Sequence, residues 1–363
     1  MEQSQSNESE IISMLRESDR KFKIVWWKHY LANNEVNYRI NNNPLYATSI
    51  FPGLHYTDID KDGKIGLMKA VDFLQSAEIF LENHPERYSQ GDKHAFLDLD
   101  MALEGRTIFV AASEYTFSRA WYNNSIPKWS FVAKESFCGL GNTSLLLIVD
   151  LFLPNSSEPI ISRINKLISV DRITRKPVAF PDWYKKKMHG REVVKLGEFK
   201  VEGFSKPART FVRRVQIVWS DTDSNNHATF SSYIRFGQDT LLLAVHKAQK
   251  LNTPHRQNLS TAVTPASLEP GHRTPSQKQA GGVMVDSHHQ NPSPLSITSD
   301  ILNNGVKHLK ICFIKECLEG DFIDVHLWQE KGEELQVRCS IENLEGVPIC
   351  QFTLEYYSAL SKL

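Results

Sequence analysis

Apolar positions along the chain follow two periods, and their order repeats. Val71, Leu74, Ala77 and Leu81 recur every three or four residues, which puts them on one face of a helix. Four stretches follow, 107–121, 129–137, 144–152 and 160–170, rich in β-branched and aromatic residues and bounded by Asn, Gly, Pro or Ser. They predict strands. After Asp171 the succession restarts with a strand-like run over 211–220 and a polar turn over 221–227. A helical stripe from Tyr233 to Ala248 comes next, with Phe236, Leu241, Ala244 and Val245 on its apolar side. Strand runs then occupy 309–313, 322–328, 335–341 and 347–357. In the third of them Leu335, Val337, Cys339 and Ile341 alternate with Gln336, Arg338, Ser340 and Glu342, the period of a strand buried on one face. A further helix is predicted over Ile11–Leu31, carrying Trp26 and Trp27 and ended by Asn41–Pro44.

The repeat is also visible residue by residue. His55-Tyr56-Thr57-Asp58-Ile59-Asp60-Lys61-Asp62-Gly63 overlies Val218-Trp219-Ser220-Asp221-Thr222-Asp223-Ser224-Asn225-Asn226 at an offset of 221 − 58 = 163. Each copy reads strand, Asp-x-Asp turn, long helix, then strands in succession. Such a unit buries most apolar surface when an antiparallel sheet curls around its helix, and two units side by side hide one edge of each sheet. The expected class is therefore α+β. One segment fits neither period: 252–299 is dense in Pro, Ser, Thr, Gln and His, lacks Phe, Trp and Tyr, and reads as a disordered insertion.

Composition narrows the function classes. A length of 363 residues suits two packing units. Lys+Arg and Asp+Glu both number 42, so bulk attraction to nucleic acid or to an anionic membrane is excluded as the main activity. The longest strongly apolar run, Leu145–Val149, is far too short to span a bilayer. The polar, acidic start lacks the features of a secretory or transit signal, and five cysteines without a C-x-x-C pair argue against a disulfide framework or structural zinc; a cytoplasmic setting is expected.

The chemistry concentrates in the second copy. Asp223, Asn225 and His227 alternate just before a helix, so a carboxylate, an amide and an imidazole can face one pocket. The helix start, 228–231, would add unpaired N–H groups and the positive end of the helix dipole, a setting for a carbonyl oxygen gaining charge. Glu316, in Lys315-Glu316-Cys317 at the end of a predicted strand, could deliver a second acid to activate water. Cys317 beside His227 is a rival nucleophile. Taken alone, Asp221 and Asp223 would be read as helix-capping or turn residues. In the first copy Asp58-x-Asp60-x-Asp62-Gly63 also resembles a calcium-binding EF-hand loop, but Lys69 stands where the bidentate Glu belongs. Lys185–Lys187 and Arg213–Arg214 read as solvent-facing charge, or as contacts for an acidic partner or phosphate groups.

These residues resemble the catalytic half of plant and bacterial acyl-ACP thioesterases of the hotdog superfamily. The family's Trp-x-Asp-x-Asp-x-Asn-x-His with a Tyr six residues on is matched by Trp219, Asp221, Asp223, Asn225, His227 and Tyr233, and its Glu-Cys by Glu316-Cys317. Its inter-module Thr-Arg-Arg/Lys and Pro-Asp are matched by Thr174-Arg175-Lys176 and Pro181-Asp182. The resemblance implies a double hotdog, two tandem modules each wrapping an antiparallel sheet around a central helix. Its parts would be an N-terminal helical extension over 1–44, a first module over 45–176, a linker over 177–209 and a second module over 210–363. It implies hydrolysis of a fatty acyl thioester of acyl carrier protein or CoA, with no metal or redox cofactor; the sequence leaves the oligomeric state open and allows a homodimer. Glu316 would be the base for water, Asn225 and the helix-start amides would hold the carbonyl oxygen, His227 would position or share the proton traffic, and Asp223 would orient the cluster or polarise the thioester. The first copy departs from the pattern, with Asp62 for Asn225, Lys64 for His227 and Ala120 for Glu316, so one working site is expected, the first half shaping the acyl channel. A non-catalytic acyl-binding double hotdog and a hotdog acyl dehydratase are the alternatives.

Overall fold

The computed structural model describes residues 41–43, 46–54, 58–59, 65–83, 97, 99–124, 126, 128, 130–223, 226–252 and 295–359. The helix expected over 11–31, most of the EF-hand-like loop, Asn225 and 253–294 of the insertion lie outside them. Eleven strands form one antiparallel sheet: β1 (Asn41–Asn43), β2 (Tyr46–Pro52), β3 (Arg106–Phe117), β4 (Ser130–Leu140), β5 (Ser144–Phe152), β6 (Pro159–Asp171), β7 (Phe211–Gln216), β8 (Val306–Phe313), β9 (Phe322–Trp328), β10 (Gln336–Asn343) and β11 (Pro348–Tyr356). The helices are α1 (Leu67–Asn83), α2 (Leu99–Ala102), α3 (Arg119–Tyr122), α4 (Asp182–Met188), α5 (Phe230–Asn252) and α6 (Ser299–Asn303). Among the described residues no helix is long and apolar enough to cross a membrane.

Strand order across the sheet is β1-β2-β4-β5-β6-β3-β8-β11-β10-β9-β7. From either edge, leaving β1 aside, the strands of each half run first, third, fourth, fifth, second in chain order, and a long helix follows the first strand of each. The halves meet where β3 pairs β8, from Ala112↔Cys312 to Thr116↔His308. Pairing the two inner strands removes an unprotected edge from each half.

Both long helices lie where periodicity put them. Val71, Leu74, Ala77 and Leu81 of α1 and Phe236, Leu241, Ala244 and Val245 of α5 are all buried. α5 starts three residues earlier than its apolar stripe because Thr229 caps it, its Oγ1 accepting the Ser232 N–H at 3.2 Å. It lies so close to β11 that a Cβ at Gly237 would run into the Phe352 ring.

Tertiary packing overrides local pattern in four places. The strand read over 107–121 ends at Phe117, and Trp121 turns into α3 to bury its indole completely. The strand read over 211–220 ends at Gln216, and Trp219–Asp221 forms a 3₁₀ turn. α4, absent from the sequence reading, begins after Pro181 and buries Tyr184 and Met188, four residues apart on one face. The far end of the segment read as disordered also corrects that reading: residues 295–299 are placed, Ile297 is buried, and Thr298 caps α6 by accepting the Ile301 N–H.

Candidate active site

The site is assembled by a hairpin between β7 and α5. Asp221, almost fully buried, folds its base: the carboxylate accepts the Val218 N–H at 3.0 Å and pairs with Arg235 of α5, while its carbonyl accepts the Thr229 N–H at 2.8 Å. Asp221 is thus structural. Beyond it the chain reverses between Asp223 and His227, whose backbones exchange a 2.8 Å bond from the Asp223 N–H to the His227 carbonyl. The Asp223 Oδ1 accepts the His227 N–H at 3.2 Å, and Asn226 takes the left-handed backbone (φ 62°) that closes the turn.

The hairpin's return strand then pairs with the loop after β8. His227 bridges Leu318, and the Ala228 N–H donates to the Cys317 carbonyl at 2.9 Å. This pairing brings Glu316 to His227, 316 − 227 = 89 residues away in sequence, with Oε2 3.4 Å from Nε2. His227 is largely buried (side chain 15 % exposed) whereas Glu316 is 41 % exposed, so the carboxylate meets solvent and the imidazole lies beneath it. Asp223, His227 and Glu316 therefore come together. Asn225 lies between the two hairpin strands in sequence but outside the described residues.

Two expectations change. The amides of Ala228 and Thr229, read as unpaired donors at the helix start, are both engaged, with the carbonyls of Cys317 and Asp221. Cys317 faces the other way from Glu316: it is buried, its Sγ 3.2 Å from the Tyr233 hydroxyl, and burial pushes its thiol pKa above the ordinary value. A buried thiol held in its neutral form is a poor nucleophile.

Sequence reasoning missed one side chain in the cluster. Arg175, noted only as part of an inter-module motif, extends from the turn after β6 to this pair. Its Nη2 lies 2.7 Å from Glu316 Oε1 and 3.0 Å from each ring nitrogen of His227. The guanidinium stacks on the ring of Phe109 from β3 at 4.4 Å, and that ring meets His227 edge-on at 6.2 Å. Neither contact could be read from local pattern, since Arg175 and Glu316 are 141 residues apart.

Elsewhere, Glu78, Glu82 and Glu135 present carboxylate oxygens within 4.8 Å of one another in the first half. They surround Arg163, whose guanidinium binds Glu78 at 2.8 Å and supplies the counter-charge a cation would otherwise bring. A cleft of about 300 Å³ between the β4–β5 turn and α4 holds Lys185 and His189 but none of the site residues.

No family model matches the chain, and no curated protein matches it in sequence. Solved structures do match its fold. The 12:0-ACP thioesterase from Umbellularia californica aligns over 87 % of this chain and 99 % of its own, at a TM-score of 0.56 and 11 % identity. An acyl-ACP thioesterase from Bacteroides thetaiotaomicron aligns over 86 % and 98 %, at 0.50 and 11 %. The chain shares the fold of these acyl-ACP thioesterases, a large antiparallel sheet with few helices.

Proposed function

We propose that the chain is a fatty acyl thioester hydrolase built as a double hotdog, with modules over 45–176 and 210–363 joined by the linker 177–209. The observation that carries the reading is the Glu316–His227 pair, 3.4 Å apart at the mouth of the Asp223 hairpin. Glu316 takes a proton from a water molecule as the water oxygen attacks the thioester carbonyl carbon. Asn225 donates to the carbonyl oxygen as it gains charge. When the tetrahedral intermediate collapses, the C–S bond breaks, and the sulfur receives the proton relayed by way of His227. A carboxylic acid and a free thiol leave. Asp223 holds the hairpin in shape through the His227 amide. Two supports outside the cluster agree: fold likeness to acyl-ACP thioesterases over nearly nine-tenths of the chain, and the Trp219–Tyr233 motif spacing.

The test is thiol release from acyl-CoA and acyl-ACP substrates of graded chain length, with the carrier read from the higher kcat/KM. Glu316→Ala and His227→Ala should each lower turnover by about 10²–10⁴-fold, the range for a positioned acid–base group. Asp223→Ala should do so through loss of hairpin geometry. Wild-type turnover in all three variants refutes the assignment, and tight acyl-CoA binding with no thiol released would make the chain an acyl-binding protein instead.

A further inference from the structure

Glu316 lies three residues past the end of β8, on a loop, with 41 % of its side chain exposed. A carboxylate in that setting is free to sample several rotamers, yet proton abstraction requires it to stay within hydrogen-bond reach of one water. What fixes it comes from the other half of the molecule. The turn 171–176 is tied down by Asp171, whose Oδ1 accepts the Ile173 and Thr174 N–H groups at 3.1 and 2.7 Å and whose carbonyl accepts the Arg175 N–H at 2.9 Å. This clamp holds Arg175 at φ 59°, a left-handed backbone that a residue with a Cβ adopts only when its surroundings impose it. A cation–π contact then holds the guanidinium over the Phe109 ring, and Nη2 reaches both Glu316 and His227.

The geometry points to Arg175 as a positioning residue: an arm from the first half that holds Glu316 and His227 in register in the second. The inference deepens the hydrolase reading and rests on it. Neither half alone then carries a complete site, and the β3–β8 junction, which sets the distance between the arm and the loop, becomes part of the machinery.

The experiment uses the full chain and reads thiol release. Arg175→Ala should lower kcat by about 10²-fold, the loss expected from displacing a reacting group by roughly an ångström, with KM nearly unchanged. Because the ion pair is partly exposed, the unfolding midpoint should stay within about 3 °C of wild type. Millimolar guanidinium should restore part of kcat to Arg175→Ala and nothing to Glu316→Gln. Arg175→Ala combined with Glu316→Gln should lose far less than the product of the two single losses, since the arm acts through the Glu316–His227 pair that Glu316→Gln already breaks. If Arg175→Ala fails to fold, Arg175→Lys, which keeps the charge but not the planar fork, carries the same kcat comparison. Undiminished kcat in the Arg175 variants, or losses that multiply in the double variant, overturn the proposal while leaving the hydrolase reading intact. A wild-type chain that releases no thiol removes both.

Discussion

Removing one buried guanidinium should destabilise the fold, and the size of the effect follows from its surroundings. Arg163 on β6 is fully buried. Its Nη1 lies 2.8 Å from Glu78 Oε2, Asn165 donates to Glu78 Oε1 at 2.7 Å, and Ser113 donates to Asn165 at 2.8 Å. Nε and Nη2 have no hydrogen-bond partner among the described residues. The guanidinium carbon sits 5.4 Å from the Tyr115 ring centroid and 5.1 Å from that of Phe230. Burial alone would push the Arg163 pKa down, but Glu78 first, then Tyr115, Glu135 and Glu82, more than offset this and leave it raised. At 2.8 Å and an effective dielectric of about 20 the gross attraction is about 6 kcal/mol, of which desolvation cancels a part. Arg163→Met takes from the buried Glu78 the cation it is paired with. Loss of one partner from a buried pair costs about 3–5 kcal/mol, and at about 2–4 °C per kcal/mol the midpoint should fall by about 6–20 °C. Thermal and urea unfolding followed by circular dichroism measure it. Adding Glu78→Leu should recover much of the loss, because the apolar pair lacks both the buried charge and its desolvation penalty. An Arg163→Met variant that unfolds within about 2 °C of wild type, or a double variant less stable than the single, would refute the electrostatic account.

Two further outcomes follow from packing. Cys317→Ala should keep thiol release within about threefold of wild type, because the thiol is buried against Tyr233 and held neutral, whereas loss of an attacking nucleophile would cost several orders of magnitude. Gly237→Ala should destabilise by about 1–3 kcal/mol in urea unfolding, as its methyl runs into Phe352, and Phe352→Leu should relieve most of that loss.

Legibility followed the range of the interactions. The two long helices could be read because three- and four-residue spacing is a local property, and it matched burial at all eight stripe positions quoted for α1 and α5. The half-molecule repeat could be read because a 163-residue offset preserves the order of elements. Trp121 was misread because an aromatic run looks like strand whether its end continues or turns under the sheet, and only packing against Phe131 decides which. α4 is only about two turns long, too short for periodicity to register. In the site, Asp223 and His227 share one hairpin and were legible from spacing. Glu316 stood out as an acid at a strand end, but its place beside His227, 89 residues upstream, rested on a motif resemblance, and Arg175 had no local signature at all. The unpaired helix-start amides were over-read: spacing shows that a helix begins, not that Cys317 and Asp221 carbonyls already occupy two of its N–H groups.

The repeat also explains why one site should work and not two. The turn after β6 and the segment after β11 occupy equivalent places, each beside the end of the inner strand of the opposite half, since β3 and β8 run antiparallel. At the first of these places Arg175 meets Glu316, three residues past β8. At the second the residue three past β3 is Ala120, which offers no carboxylate. The polarity there is reversed as well: Arg119 comes from the inner-strand side and stacks 4.3 Å over Tyr357, donating to the Ser358 carbonyl at 3.0 Å, while the Tyr357 hydroxyl donates to the Phe117 carbonyl. The same topology thus places an acid–imidazole–guanidinium cluster at one end of the β3–β8 junction and a guanidinium–tyrosine contact at the other. A halved molecule would lose both contacts, Arg175 with Glu316 and Arg119 with Tyr357, so the two halves stay coupled although only one retains the acid–imidazole pair.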